Sequence, residues 1–214
     1  MLEILNFCFN AFSENTYVVY GTDKTAIVID PGNSNPMEDN RLFSFIDSKN
    51  LKISKIINTH AHIDHIIGNH SLSERYATVI AAHPDTEADF ATAKQQALMF
   101  GIDNNLDIAR PDVALHDGDT FTLDDDLIEV ISTPGHARGS ISLYVHALGV
   151  VFTGDALFCR CIGRTDFPGG SYDQLRQSIR QRLFVLPDDT TIYSGHGECS
   201  TIGEEKDFNP YVAV

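Results

Sequence analysis

The stretch Thr59-His60-Ala61-His62-Ile63-Asp64-His65 packs three imidazoles and a carboxylate into one short run. Neutral imidazole and carboxylate are the ligands that zinc and ferrous iron take up. Buried as core, the rings would each need a hydrogen-bond partner. Left in solvent, they would gain nothing from being crowded. The cluster therefore points to a metal centre, to which the rest of the chain must bring further ligands. Just before it, residues 53–58 (ISKIIN) form an apolar run of strand length. His60 and His62 follow at i and i+2, which a helix would place on different faces and an extended or looped backbone on one. Asp64 and His65 precede Ile66-Ile67-Gly68, which can open a short helix. The cluster thus sits on a loop at the carboxyl end of a buried strand, where open α/β folds build their sites.

Three later stretches repeat the pattern. His136 ends Ser132-Thr133-Pro134-Gly135-His136 after a strand-like run over 127–131. Asp155 stops the apolar run 150–155 (VVFTGD), and His196 follows 191–195 (TIYSG). In each, an apolar run meets glycine and then a ligand-type side chain. Glycine lets the backbone turn tightly and approach a ligand closely.

Taken in order, THAHIDH, TPGH, TGD and SGHG resemble the metallo-β-lactamase-fold hydrolases. The flanking segments 155–158 (DALF), 162–170 (IGRTDFPGG), 186–190 (LPDDT) and Asn209-Pro210 resemble the small glyoxalase II-like (hydroxyacylglutathione hydrolase-like) subfamily. IGRTD is also shared with the persulfide dioxygenases. The resemblance implies an α/β fold, a four-layer αββα sandwich with the site at one edge of its two sheets. It also implies a single domain over 1–214, without the helical glutathione-binding region that full-length glyoxalase II enzymes carry at the carboxyl end.

The family's ligand roles carry over residue by residue. His60, His62 and His136 would hold one metal. Asp64, His65 and His196 would hold a second, with Asp155 bridging and Asp64 able to assist a proton transfer. The implied cofactors are two divalent metal ions, zinc first, with iron or mixed metals as alternatives. The implied reaction is hydrolysis of S-lactoylglutathione or a related acyl thioester by a hydroxide that the metals hold. The alternative is a persulfide dioxygenase with one non-haem iron, followed by another small-molecule metallohydrolase such as a lactonase. Asp30, in Asp30-Pro31-Gly32, is expected to orient the ligand loop by hydrogen bonding, as in the family.

A length of 214 residues with 43% apolar content suits one domain with a sizeable core. The net charge of −15 and the lack of a basic stripe argue against nucleic acid as a partner. The amino terminus MLEILNFCFN carries Glu3 and no basic region, so no secretory leader is expected, and no apolar stretch reaches membrane-spanning length. The expectation is a cytoplasmic monomer or small homo-oligomer with a small-molecule thioester substrate. Cys159 and Cys161 are expected to be reduced, partly buried thiols. Arg138, Arg160 and Arg164 are the cations on loops beside His136 and Asp155. They could grip a substrate carboxylate or bridge within the scaffold, as Arg164 could with Asp166.

Strands are expected over 16–20 and 25–29 around a Gly21-Thr22-Asp23 turn. Helical spacing covers 41–48, 71–76, 84–100 and 174–183, the last with Leu175, Ile179 and Leu183 inward. Met99 and Phe100 are expected in the core, with a place facing the pocket as the alternative, and the polar stretch 101–111 (GIDNNLDIARP) is the lid candidate.

Overall fold

The computed structural model describes residues 1–102 and 106–213. Strands β1 (Glu3–Phe9), β2 (Glu14–Tyr20) and β3 (Thr25–Ile29) form an antiparallel meander. Parallel strands β4 (Lys52–Ile57), β5 (Val79–Ala82) and β6 (Val113–Ala114) extend it into one six-stranded sheet. The second sheet is built from β7 (Thr120–Leu123), β8 (Asp126–Ser132), β9 (Ile141–Val145) and β10 (Val150–Gly154). After a small hairpin of β11 (Leu157–Phe158) and β12 (Cys161–Ile162), β13 (Thr191–Ser194) pairs parallel with β10, and β14 (Ser200–Thr201) closes the edge.

Alternation along the central strands explains the layering. Side chains of a strand point to opposite faces in turn. In β2 and β3, Val19, Ile27 and Ile29 face the second sheet and meet Ile128, Val130, Leu143, Val145 and Phe152. Their neighbours Val18 and Val28 face the other way, onto Leu42, Ile46 and Leu72. Those three sit on α1 (Pro36–Lys49) and, after the single-turn α2 (Ile63–Ile66), on α3 (Asn69–Tyr76). Asn35 caps α1 through its side chain, with Pro36 in the first turn. Helix α4 (Glu87–Met99) packs Phe90, Ala93 and Ala97 against Ile63 and Ile66 of α2. On the far side, Val151, Tyr144 and Ile192 pack against α5 (Tyr172–Ser178), its π-helical continuation Ile179–Leu183, and α6 (Ile202–Phe208). The result is the four-layer αββα order that the family resemblance implies, and Leu175, Ile179 and Leu183 are fully buried as expected.

Of the two readings of Met99 and Phe100, the core one fails and the pocket one holds. Met99 and Phe100 are not core residues: they are 77% and 44% exposed at the end of α4, because Phe90, Ala93 and Ala97 already fill that helix's inward face. The lid candidate 101–111 falls partly outside the described residues, at 103–105. Within its described part, Leu106 and Ile108 pack on the Phe90–Ala97 cluster. No helix among the described residues is long and apolar enough to cross a membrane.

Candidate metal centre

The strand ends carry the site. β4 delivers Thr59 to His65, β8 delivers His136, β10 ends at Gly154 just before Asp155, and β13 ends two residues before His196. β10 and β13 lie parallel, so Asp155 and His196 emerge at the same end of their sheet. An isolated antiparallel bridge then pairs Glu14 of β2 with His196, two residues past β13.

Ring orientation follows from what holds the other nitrogen. His136 Nδ1 donates to the Arg164 carbonyl at 2.8 Å, leaving Nε2 bare. His65 Nδ1 donates to Asp30 Oδ2 at 3.0 Å, and His196 Nδ1 to the Phe12 carbonyl at 3.1 Å, so each ring turns its Nε2 towards the other candidate ligands. Asp30 itself accepts from the Thr59 amide at 2.7 Å and the Thr59 hydroxyl at 2.6 Å. Asp30 therefore locks the ligand loop and His65 together. Although Asp30 lies near His60 and His65 closely enough to form a third ligand group, its oxygens are already taken in this way, so we assign it to orientation.

Two groups of ligand atoms remain, each with all atoms within 4.8 Å of one another: His60, His62 and His136, and Asp64, His65 and His196. Asp155 lies between them. Its Oδ1 is 3.4 Å from His65 Nε2, and its Oδ2 is 3.6 Å from both His136 Nε2 and His196 Nε2. In the first group, His62 Nδ1 and His136 Nε2 approach to 2.7 Å. In the second, His196 Nε2 is 3.3 Å from both Asp64 Oδ2 and His65 Nε2.

The donor set fits metal ions on two counts. His60 Nε2 and Asp155 Oδ1 are buried and have no hydrogen-bond partner. Each such orphan costs about 1–3 kcal/mol, and a cation beside it removes that cost. Burial, with the neighbouring His136 ring, also pushes His62 down to about 3, and burial lowers His136 to about 4, so both rings are neutral at pH 7, the form that could take up a metal. His65 and His196 go the other way. Burial opposes their charge, but the carboxylates of Asp155, Asp64 and Asp30 outweigh it for His65, and those of Asp64 and Asp155 for His196. Asp64 stays ionised because the His65 and His196 charges overcome burial.

The sequence profile of the Metallo-beta-lactamase superfamily matches residues 10–196. The chain is 37% identical to "Hydroxyacylglutathione hydrolase GloC" of Haemophilus influenzae over 204 residues, covering 94% of both chains. The chain belongs to the metallo-β-lactamase superfamily. Among solved superfamily structures, BLEG-1 B3 metallo-beta-lactamase superposes with TM-score 0.89 at 31% identity, over 99% of this chain and 100% of that one. TTHA1623 in a di-iron-bound form superposes with TM-score 0.85 at 29% identity, over 97% and 99%. As a superfamily member the protein is a metallohydrolase of the fold that binds divalent metals.

A cavity of about 690 Å³ opens over the ligands. Its walls are largely apolar: Phe12, Ile63, Met99, Phe100, Phe158 and Phe167. Phe158 and Phe167 stand in the flanking motifs, Met99 and Phe100 take the pocket place that was their alternative, and Phe12 carried no local sign. Sequence reasoning also passed over Glu14. It is fully buried, with Oε2 accepting from the Thr16 hydroxyl at 2.9 Å and Oε1 at 4.0 Å from His65 Nδ1. Burial pushes its carboxyl well up, despite the His65 charge.

The loop cations divide. Arg164 pairs with Asp166 at 2.6 Å, as anticipated, and Arg160 pairs with Glu204 while its amide donates to Glu205 at 2.9 Å. Cys159 departs from expectation: it is exposed at the β11–β12 turn, whereas Cys161 is half-buried and its thiol faces the Ile162 carbonyl at 3.5 Å. All four cysteines are free thiols.

Proposed function

We propose that the chain is a dinuclear, zinc-dependent thioesterase of glyoxalase II type, acting on S-lactoylglutathione or a related acyl thioester. The observation that carries the reading is Asp155. Its carboxylate lies between two complete three-ligand groups, the position from which one residue can serve two ions. The similarity to the Haemophilus influenzae hydrolase supports the thioester as substrate. His60, His62 and His136 would hold one ion, and Asp64, His65 and His196 the other. Bound there, the ions would supply Lewis acidity and a water whose pKa is brought down towards about 7.

The chain's own groups do the rest. Asp30 and the Arg164 carbonyl fix the tautomers of His65 and His136. Asp64, ionised at neutral pH, would hold the second ion with His65 and His196 and could assist proton transfer from the attacking water. The aromatic walls exclude bulk water from the carbonyl. Attack there breaks the C–S bond and gives a carboxylic acid and a thiol.

The test is a substrate panel. S-lactoylglutathione is expected to be cleaved, and simpler thioesters within about tenfold of it in kcat/KM, a difference near 1.4 kcal/mol. Oxygen uptake on glutathione persulfide without thioester cleavage would replace this reading with the dioxygenase.

The opposed histidine shifts set the pH behaviour. A ring already neutral gives up no proton to a metal, whereas a charged ring must, so its affinity falls about tenfold per pH unit below its pKa. His62 and His136 are neutral down to about pH 4, whereas His65 and His196 hold protons above the ordinary imidazole pKa. Acidification from about pH 7.5 to 5.5 is therefore expected to release the Asp64–His65–His196 metal first. Metal content after dialysis at stepped pH should fall through a one-equivalent plateau; loss of both together would contradict the assignment.

A further inference from the structure

Arg138 stands two residues beyond His136 and lines the cavity. Unlike Arg160 and Arg164, it makes no salt bridge among the described residues. Its place is nonetheless built. Gly139 lies so close to the start of α4 that an added Cβ would come within 2.6 Å of the Thr86 amide nitrogen. Gly169, at φ +94°, backs the arginine stem, where an added Cβ would sit 3.1 Å from both Cγ and Nε of Arg138. The side chain is thus flanked by the α4 entry and the 165–170 loop, with its guanidinium left unpaired.

The charge around it gives this a use. The chain carries −15 overall, and Asp64, Asp89 and Asp155 all line the same cavity. Asp89, half-buried on α4, has its carboxyl raised by burial and partly restrained by the Arg138 charge, which places the two within electrostatic reach. An anionic substrate approaching such a cavity meets repulsion unless a cation offsets it. A guanidinium offers paired N–H donors that match a carboxylate.

We infer that Arg138 is a specificity-determining residue of this site, reading a carboxylate carried by the thioester. The inference rests on the thioesterase reading. The carboxylate could sit on the thiol half or the acyl half, and three substrates separate these. S-lactoylglutathione carries it on the thiol, succinyl-N-acetylcysteamine on the acyl group, and lactoyl-N-acetylcysteamine carries none.

The experiment compares wild type, Arg138→Gln and Arg138→Lys on the three thioesters. The kcat/KM ratio of the preferred carboxylate-bearing thioester to the neutral one should fall about tenfold in Arg138→Gln, through KM rather than kcat, and partly recover in Arg138→Lys. Parallel loss on charged and neutral thioesters would mean a structural role and overturn the inference. So would an unchanged ratio.

Binding of S-hexylglutathione, a thioether that cannot be hydrolysed, supplies the second readout by calorimetry on the metal-loaded protein. If the wild type cleaves none of the thioesters, the thioesterase reading fails. A roughly tenfold affinity loss for S-hexylglutathione in Arg138→Gln would then still support carboxylate recognition. Equal affinity in both proteins, or no binding to the wild type, for S-hexylglutathione and for the uncleaved succinyl-N-acetylcysteamine alike would overturn it.

Discussion

Asp155→Ala is expected to lose about one metal per chain and bring thioester turnover below about a tenth of wild type, with the circular dichroism spectrum unchanged. The carboxylate lies between the two ligand groups and makes no hydrogen bond through Oδ1 to the scaffold. Its removal takes negative charge from between two cations, which are left repelling each other. It takes little from the fold, since Gly154 and Ala156 keep their backbone contacts with Gly195 and Thr153. Elemental analysis and a thioester assay on the same preparation decide the matter. Turnover above about a tenth with both metals retained would show that Asp155 does not bridge.

Gly195→Ala should reproduce much of that loss while leaving every ligand in the sequence. An added Cβ would overlap Asp155 Oδ1 and come within 2.7 Å of His65 Cε1. Real side-chain carbons do not approach that closely, so the carboxylate must swing off its position between the groups. Disturbing a ligand's support in this way typically costs about 10- to 100-fold in metal affinity or activity. Isothermal titration of the metal-free variant with zinc reads it directly. Zinc affinity equal to wild type would mean that the carboxylate moves without consequence.

The glycine also shows why parts of this molecule can be read from its sequence. His60, His62, Asp64 and His65 are neighbours in the chain, so their convergence needs only a local loop after β4. His136, Asp155 and His196 each follow an apolar run that becomes a strand of one sheet, β8, β10 or β13. Strands of one sheet end side by side, so repetition of the pattern translates into proximity. Helix α5 was legible for a similar reason: the spacing of Leu175, Ile179 and Leu183 is local.

What escaped depends on partners far away in the chain. Glu14 is an ordinary polar residue until β2 brings it beneath His65, more than fifty positions later. Met99 and Phe100 continue an apolar pattern whose inward face Ala97 already completes, and this packing, invisible locally, decides for the cavity, the second of their two readings. Strand β1 alternates exposed and buried residues only at its end, and its pairing partner β2 defines it. Nothing local tells Arg138, which has no salt bridge among the described residues, from Arg164, whose partner Asp166 is two residues away.

The most direct measurement is metal content and activity on protein purified without added metal. About two metal ions per chain, chiefly zinc, with thioester turnover rising and falling as they are removed and restored, is the expected result. A single iron per chain, with oxygen consumption on a persulfide tracking it and no thioester cleavage, would contradict the dinuclear thioesterase.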